Sequence, residues 1–365
     1  MLPRLIIVSL FLAALQSLPV AAQPAMDMSR CDGSDAATAI SGCTAIIESI
    51  GSPAKSVSLA LTSRALAYEK IGRNDLAMQD LERAISRDAS NPHAWVDRGN
   101  LYLQSGDFGR AMADFDHAVG RGGNNPYAFG HRADAWLIHG DPDRAIADYD
   151  RAIALDPRNF RYAFRRGEAW RIKGDIARAI SDFDRAIALN AREPAAFLDR
   201  AAAHAAAGDF VEAIADYDRA IALDTRNPGA LAARGDLLQA LGHSDRAIDD
   251  YTAALAIDSG NKDVYLNRGT AYARKGDYSH AVADYDAAFR LGLRRPELFA
   301  DRGMAHLKSG QFAEAIADLD TALGMVPDDA LSLYSRGWTK QQLGDAIGGE
   351  VDIEAARRMR PDLPR

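Results

Sequence analysis

One stretch of this sequence returns along the chain at a fixed spacing of 34 residues. Residues 141–159 read DPDRAIADYDRAIALDPRN, and related copies follow at Arg178 (RAISDFD) and Glu212 (EAIADYD). A fixed period of this length indicates a solenoid, because one short unit cannot bury its apolar face alone and must stack on its neighbours. The number of globular domains cannot then be inferred from the length of 365 residues, because a repeat array has no single core.

The repeat keeps its register through nine units that together span residues 58–361, followed by a short tail at residues 362–365. The units begin at Ser58, Pro92, Pro126, Phe160, Pro194, Pro228, Lys262, Pro296 and Ala330. Position 15 of every unit is glycine, as at Gly140, which suits a helix C-terminus that needs a positive φ. An Asp often follows, as at Asp141, and can cap the next helix. Each unit is therefore predicted to be two antiparallel helices.

Small and large residues occupy fixed positions in the unit. Position 8 is always Gly or Ala, position 20 is Ala in eight units and Gly349 in the ninth, and position 27 is always Ala. Position 24 is aromatic in most units, as in Phe115 and Tyr149. Small residues against large ones allow packed layers to interdigitate, so we expect these positions to form the helix contacts of the core.

This pattern resembles the tetratricopeptide repeat family, with aromatic residues at positions 4, 11 and 24, small residues at 8, 20 and 27, and Pro at 32 in units such as the one ending near Pro157. The resemblance implies an all-α solenoid, a right-handed superhelix of helix-turn-helix repeats with a concave groove lined by the first helices. It also implies that the chain binds a protein or peptide. The sequence departs from the family at position 7, where Leu is usual and every unit here has Arg.

That Arg is matched by an Asp at position 23 in all nine units. Both positions lie about equally far from the turn, so antiparallel helices bring them to similar height and predict an ion pair, within a unit or to the next. Units two to five contribute Arg98, Asp114, Arg132, Asp148, Arg166, Asp182, Arg200 and Asp216. We interpret this ladder as a structural staple, with a binding surface as the alternative.

Family geometry implies that positions 2, 5, 9, 12 and 13 of each first helix face the groove. On this chain, the candidate ligand residues are Val96, Asn100, Tyr127, Leu137, Arg161, Phe164, Glu168, Arg171, Leu198, Leu266, Met304, Tyr334 and Trp338. Phe164 with Arg161 and Arg171 is the expected anchor, because aromatic and Arg side chains dominate binding hot spots. The alternative for each residue is an ordinary solvated position. The Lys and Asn pattern with which relatives clamp a peptide carboxylate is absent, since Asn100 stands alone.

Residues 1–22 are typical of an export signal. Arg4 supplies the positive charge, residues 5–15 are apolar, and Pro19 precedes a small-residue site that ends at Ala22. We predict cleavage after Ala22 and an exported chain, periplasmic if the bacterial cell has an outer membrane and otherwise secreted. An uncleaved membrane anchor is the alternative, although Pro19 makes this stretch a poor membrane span.

Residues 23–57 are expected to form a lead-in and a capping helix before the repeats. Residues 23–33 should be unstructured, whereas residues 35–50 have the apolar spacing of one helix. An even number of cysteines in an exported chain predicts a disulfide between Cys31 and Cys43 that pins this cap. Two free thiols are the alternative, and two cysteines with no histidine before His93 do not suggest a metal site.

Charge and motif content argue against several classes of function. The net charge of −8 argues against nucleic acid or an anionic membrane as the main partner. The eight histidines are scattered over the repeat, and no stretch has the strand-turn-helix context of a hydrolase nucleophile. We therefore expect no catalytic site, no cofactor and no metal.

The sequence thus predicts an exported, non-enzymatic scaffold or adaptor that binds a protein or peptide in its groove. The alternative is a regulatory or assembly subunit of a cell-envelope enzyme or secretion complex, with any catalysis in another chain. We expect no membrane insertion once the signal is removed. The open C-terminal helix over residues 350–359 offers a surface for self-association, because its outer face is only moderately polar.

Overall fold

The computed structural model describes residues 28–121 and 124–364. Within these residues all regular secondary structure is helical, and no strand occurs. The chain divides into two compact units, the first ending at Pro157 and the second beginning at Arg158. In each unit the helices pack in chain order, which is the arrangement of an all-α solenoid of helix-turn-helix repeats.

The first unit contains eight described helices. They are α1 (Met28–Cys31), α2 (Ala36–Glu48), α3 (Ala54–Lys70), α4 (Asn74–Arg87), α5 (Pro92–Gln104), α6 (Phe108–Arg121), α7 (Pro126–Ile138) and α8 (Pro142–Leu155). Each helix packs against the next one along the chain. The first helices of neighbouring repeats also touch, α3 with α5 and α5 with α7, so one face of each repeat is built by first helices alone.

The second unit contains twelve helices. They are α9 (Phe160–Ile172), α10 (Ile176–Leu189), α11 (Pro194–Ala207), α12 (Phe210–Leu223), α13 (Pro228–Ala240), α14 (Ser244–Ile257), α15 (Lys262–Arg274), α16 (Tyr278–Arg290), α17 (Pro296–Lys308), α18 (Phe312–Met325), α19 (Ala330–Gln342) and α20 (Ala346–Met359). The packing order of the first unit is repeated, and the first helices α13, α15, α17 and α19 contact one another in sequence.

Local sequence explains where these helices begin and end. The side chain of Asn125 accepts the N–H of Tyr127 at the start of α7, where Pro126 loses no helical hydrogen bond. After α7, Gly140 has a φ of +82°, and the N–H of Asp141 donates to the carbonyl of Trp136 at 2.9 Å. Asp141 then caps α8 by accepting the N–H of Arg144. A positive-φ glycine ends the first helix of each of the nine pairs from α3 to α20.

The core forms where small residues of one helix meet large residues of its partner. In α14 the residues at positions 20, 24 and 27, Ala247, Tyr251 and Ala254, are all buried. A Cβ added to Gly235, at position 8 of α13, would lie 2.8 Å from the Tyr251 ring. The small residue at position 8 therefore makes room for the aromatic ring at position 24.

The N-terminal segment differs from the sequence prediction at its lead-in. Residues Met28–Cys31 form the short helix α1 within the segment expected to be unstructured, while α2 lies inside the predicted range 35–50. Cys31 and Cys43 form a disulfide, with their Cα atoms 4.5 Å apart and both residues buried. The disulfide joins α1 to α2, and this tertiary link supports a helix too short to be stable alone.

The first helix of the repeats is longer than predicted, although the register of the repeat is unchanged: Arg64 pairs with Asp80 and Gly72 has a positive φ. The first helix of the first repeat, α3, starts at Ala54, four residues before the predicted start at Ser58. The predicted export signal at residues 1–22 and its cleavage after Ala22 lie outside the described residues. Among residues 28–121 and 124–364, no helix combines the length and apolar character needed to cross a membrane.

Candidate functional site

Each position-7 Arg pairs with the position-23 Asp of its own repeat through two hydrogen bonds. In the first unit, Nε and Nη2 of Arg98 each donate to Asp114 at 2.8 Å. The other pairs with this arrangement are Arg64 with Asp80, Arg132 with Asp148, Arg166 with Asp182, Arg200 with Asp216, Arg234 with Asp250, Arg268 with Asp284, Arg302 with Asp318, and Arg336 with Asp352. All nine carboxylates are buried, so each of them depends on its Arg partner.

The third guanidinium nitrogen of several ladder residues contacts the preceding repeat. Nη1 of Arg302 donates to Asp286 at 2.8 Å, and Nη1 of Arg268 donates to the Thr252 hydroxyl at 3.0 Å. One Arg therefore connects both helices of its own repeat to the second helix of the repeat before it. This geometry favours the structural interpretation of the ladder, because the charged groups already satisfy one another.

Two of the predicted groove residues, Val96 and Leu266, are buried in the core, which corrects their assignment. An α-helix has 3.6 residues per turn, so positions 2 and 9, about two turns apart, lie on one face of the helix. One turn after position 2, the centre of this face falls between positions 5 and 6. The side chains at position 6 lie on this face. The hydroxyl of Tyr127, at position 2, donates to Asp97, at position 6 of the preceding repeat, at 2.9 Å. We call the surface formed by positions 2, 6, 9 and 13 of the first helices the groove face.

The expected anchor around Phe164 is divided between core and solvent. The Phe164 ring packs on Phe183 of its own repeat, with ring centroids 5.9 Å apart, whereas Arg161 and Arg171 are exposed. Glu168 accepts a hydrogen bond from Arg165 at 3.0 Å. At this anchor the two Arg side chains are therefore available to a partner, whereas the Phe164 ring already packs inside its own repeat.

Three other predicted groove residues are half-buried. Leu137 packs beside Tyr149 and Leu198 beside Tyr217, each at the edge of a repeat core. Asn100, on α5, is half-buried as well.

Met304, Tyr334 and Trp338 are brought together in the last two repeats. They line a cavity of about 590 Å³ between α17 and α19, and Trp338 keeps 47% of its surface exposed. Leu307, Phe312 and Pro364 complete the apolar part of its wall. A concave, largely apolar site of this size is typical of ligand pockets. We call the cavity formed by these six residues the aromatic pocket.

Acidic residues at position 6 were missing from the predicted site. Burial raises the pKa of Asp97 to about 6, and burial together with the nearby charge of Glu168 raises the pKa of Asp199 to about 6. Burial also raises the pKa of Asp301. Acids recur at this position in every third unit, a signal visible in the sequence once position 6 is counted as part of the face.

Glu69 forms a second unusual acidic group beside Asp97 in the first unit. Burial, and secondarily the charge of Asp97, raises the pKa of Glu69 to about 7. Its Oε1 atom is buried and has no hydrogen-bond partner among the described residues. No three His, Cys, Asp or Glu side chains within residues 28–121 and 124–364 converge to hold a metal ion.

Comparisons with solved structures return several similar proteins. MamA is 27% identical, with a TM-score of 0.42, over 44% of this chain and 93% of MamA. YrrB, described as a TPR protein with an unusual peptide-binding site, is 22% identical, with a TM-score of 0.46, over 49% of this chain and 93% of YrrB. The pilF protein of Pseudomonas aeruginosa is 18% identical, with a TM-score of 0.52, over 60% of this chain and 97% of its own. This last likeness shows a shared fold.

No curated protein matches this chain in sequence. The family profile described as "Tetratricopeptide repeat" matches residues 62–126, 132–194, 173–228, 232–292 and 300–345, which is most of the chain. The matched segments include residues of both compact units and agree with the helix pairs described above. The chain belongs to the tetratricopeptide repeat family.

Proposed function

We propose that this chain is a non-enzymatic scaffold that binds a protein or peptide on its groove face, with the aromatic pocket as the anchor site. The observation that carries this proposal is the convergence of Met304, Tyr334 and Trp338 around one open cavity. Trp338 exposes almost half of its aromatic side chain to water beside apolar walls, which is unfavourable. A partner that covers the ring removes this apolar surface from water and thereby lowers the free energy of the complex. Aromatic side chains in such settings dominate binding energy in protein interfaces.

The proposal includes export by the signal at residues 1–22. The disulfide between Cys31 and Cys43 supports export, because disulfides persist in oxidising compartments such as the periplasm. Mass spectrometry of the protein recovered from the envelope fraction should give a mature chain that starts at Gln23. Recovery of a chain that still begins at Met1 would contradict cleavage.

A crosslinked capture experiment from envelope extract tests the anchor site. Trp338→Ala should lose a partner that the unaltered chain captures. The matched control is Val211→Ala, which removes an exposed apolar side chain outside the pocket, and it should keep that partner. A Phe164→Ala, Arg171→Ala double variant tests the anchor expected from the sequence.

The pattern of capture separates the candidate surfaces. Loss with Trp338→Ala alone places the partner at the aromatic pocket, and loss with the double variant alone places it around Phe164. Equal capture by all variants would overturn binding on the groove face. The identity of the captured protein distinguishes a general adaptor from the alternative function, a regulatory or assembly subunit of a cell-envelope enzyme or secretion complex.

A further inference from the structure

A second cavity adjoins the aromatic pocket and has the opposite character. It has a volume of about 540 Å³, and its wall comes from α17, α19 and the end of α18 with the turn that follows. Its polar wall consists of Glu297, Asp301, Asp328, Asp329 and Ser332, and Met304 lines both cavities. We call this cavity the acidic pocket. One ligand segment that passes Met304 would reach both.

The acidic pocket has no cationic residue in its wall among the residues that the structure describes. Burial raises the pKa of Asp301, and the charges of Glu297 and Asp329 raise it further, although a hydrogen bond from Thr270 and the charge of Arg274 oppose this effect. The Arg274 guanidinium itself donates to the Gln239 carbonyl at 3.0 Å. The pocket therefore concentrates negative charge that a cationic ligand would neutralise.

A buried hydroxyl in the same wall also lacks a partner. Ser332 is 1% exposed, and its Oγ makes no hydrogen bond with any described residue. An unpaired buried hydroxyl is unfavourable, so this wall carries an unsatisfied polar group beside its carboxylates. Neighbouring Asp329 accepts the N–H groups of Leu331 and Ser332, so the start of α19 holds this carboxylate in place.

The arrangement of the acidic groups bears on the kind of cation that the pocket can hold. No three His, Cys, Asp or Glu side chains within the described residues converge to hold a metal ion, so these carboxylates do not form one coordination sphere. An extended cation with several donors suits the pocket better than a compact ion. The guanidinium of arginine presents five N–H donors in a fixed fork, whereas lysine presents three from a single nitrogen.

We propose that the acidic pocket binds a basic side chain, arginine in preference to lysine, from the same protein segment that places an apolar side chain in the aromatic pocket. This inference rests on the proposed function, because it takes the aromatic pocket as the anchor. It adds the chemistry of the ligand: a basic residue close to an aromatic or aliphatic one. The net negative charge of the chain is consistent with such a partner.

Fluorescence anisotropy with defined peptides tests this inference on the full chain. The probes are fluorescein-labelled peptides that contain one Arg and one Phe separated by zero to three Gly residues, with matched peptides in which Gln or Lys replaces Arg. At the best spacing, we expect the Arg peptide to bind about tenfold more tightly than the Gln peptide, as for a charge-assisted hydrogen bond. The Lys peptide should fall between them.

Two double variants separate pocket recognition from general charge attraction. Glu297→Gln with Asp328→Asn removes two exposed acids of the pocket and should abolish most of the preference for Arg over Gln. Glu314→Gln with Glu354→Gln changes net charge equally at exposed positions of α18 and α20 outside the pocket, and should keep that preference. Unchanged thermal unfolding would show that each variant remains folded.

The outcomes distinguish failure of this inference from failure of the proposed function. If the Arg and Gln peptides bind equally while Trp338→Ala weakens both, the anchor stands and the cationic subsite is wrong. Equal effects of the two double variants, or a Lys peptide that binds more tightly than the Arg peptide, would also overturn the inference. If Trp338→Ala changes nothing while the pocket variant weakens the Arg peptide, the proposed anchor fails instead. Absence of binding by every peptide would overturn both.

Discussion

Arg200 and Asp216 form a two-pronged ion pair across the two helices of one repeat, with Nε and Nη2 donating at 2.8 and 2.7 Å. Asp216 is only 6% exposed, and Nη1 of the same Arg donates to Asp184 in the preceding repeat at 2.5 Å. The guanidinium thereby links three helices, α10, α11 and α12. A buried carboxylate depends on such a partner, because an unpaired charge is costly away from water.

Arg200→Leu is expected to lower stability by about 3 kcal/mol, because it leaves Asp216 buried without its counter-charge. Circular dichroism during thermal unfolding measures the change as a lower melting temperature. Replacing Asp216 by Leu as well should recover most of the loss, since an apolar pair needs no desolvated charge. Arg226→Leu, at an exposed position, is the control. An unaltered melt of the single variant would rule out the staple.

Ala213→Leu should destabilise the fifth repeat by about 1–3 kcal/mol, because the added atoms enter a fully packed joint between helices. Ala213 occupies position 20 of its unit and has no exposed surface. Ala215→Leu, on the exposed side of the same helix, serves as the matched control and should be close to neutral. Urea unfolding compares the two variants. Equal midpoints would show that the small residues at position 20 are not required by packing.

Glu69 should make the stability of the first unit depend on pH. Its pKa of about 7 in the folded chain exceeds the ordinary value of 4.5, so the folded state holds the proton more tightly than the unfolded state. The free energy of unfolding should therefore fall as pH rises from about 4.5 to about 7. We expect a change of only about 1 kcal/mol, because partial exposure lets water screen the charge.

Glu69→Gln should remove this dependence and raise stability above that of the unaltered chain near pH 8. Unfolding midpoints measured between about pH 5 and pH 8 report the difference. Glu82→Gln, at an exposed position of α4, is the control and should leave the slope in place. A slope that survives Glu69→Gln would assign the pH dependence to other groups.

Reducing the disulfide should loosen the N-terminal cap. The bond closes a loop between residues 12 positions apart, which corresponds to about 3 kcal/mol in the loop-entropy account. In a Cys31→Ser, Cys43→Ser variant, amide hydrogen exchange should accelerate in α1 to α3 and stay unchanged in α18 to α20, because repeats contact mainly their neighbours. Equal protection with and without the bond would contradict a capping role.

Much of the fold follows from local sequence. The glycine at position 15 and the Asp after it, as in Gly140 and Asp141, act within one turn of chain, so their effect on the helix ends can be predicted without tertiary information. The period of 34 residues then predicts the order of packing, since identical units bury identical faces. The short helix α1 escaped prediction because a disulfide and packing, and not local propensity, stabilise it.

The candidate site depended more on tertiary structure. The sequence determined the helix pairs, the family and the residue types available on each first helix. It did not determine what each buried residue contacts: Val96 packs in the apolar core, whereas Asp97 beside it, also buried, accepts a hydrogen bond from the hydroxyl of Tyr127, 30 residues away. Only the packing of three helices decided that Ser332 lies unpaired in a wall of carboxylates, because burial and the loss of water are properties of the assembled chain.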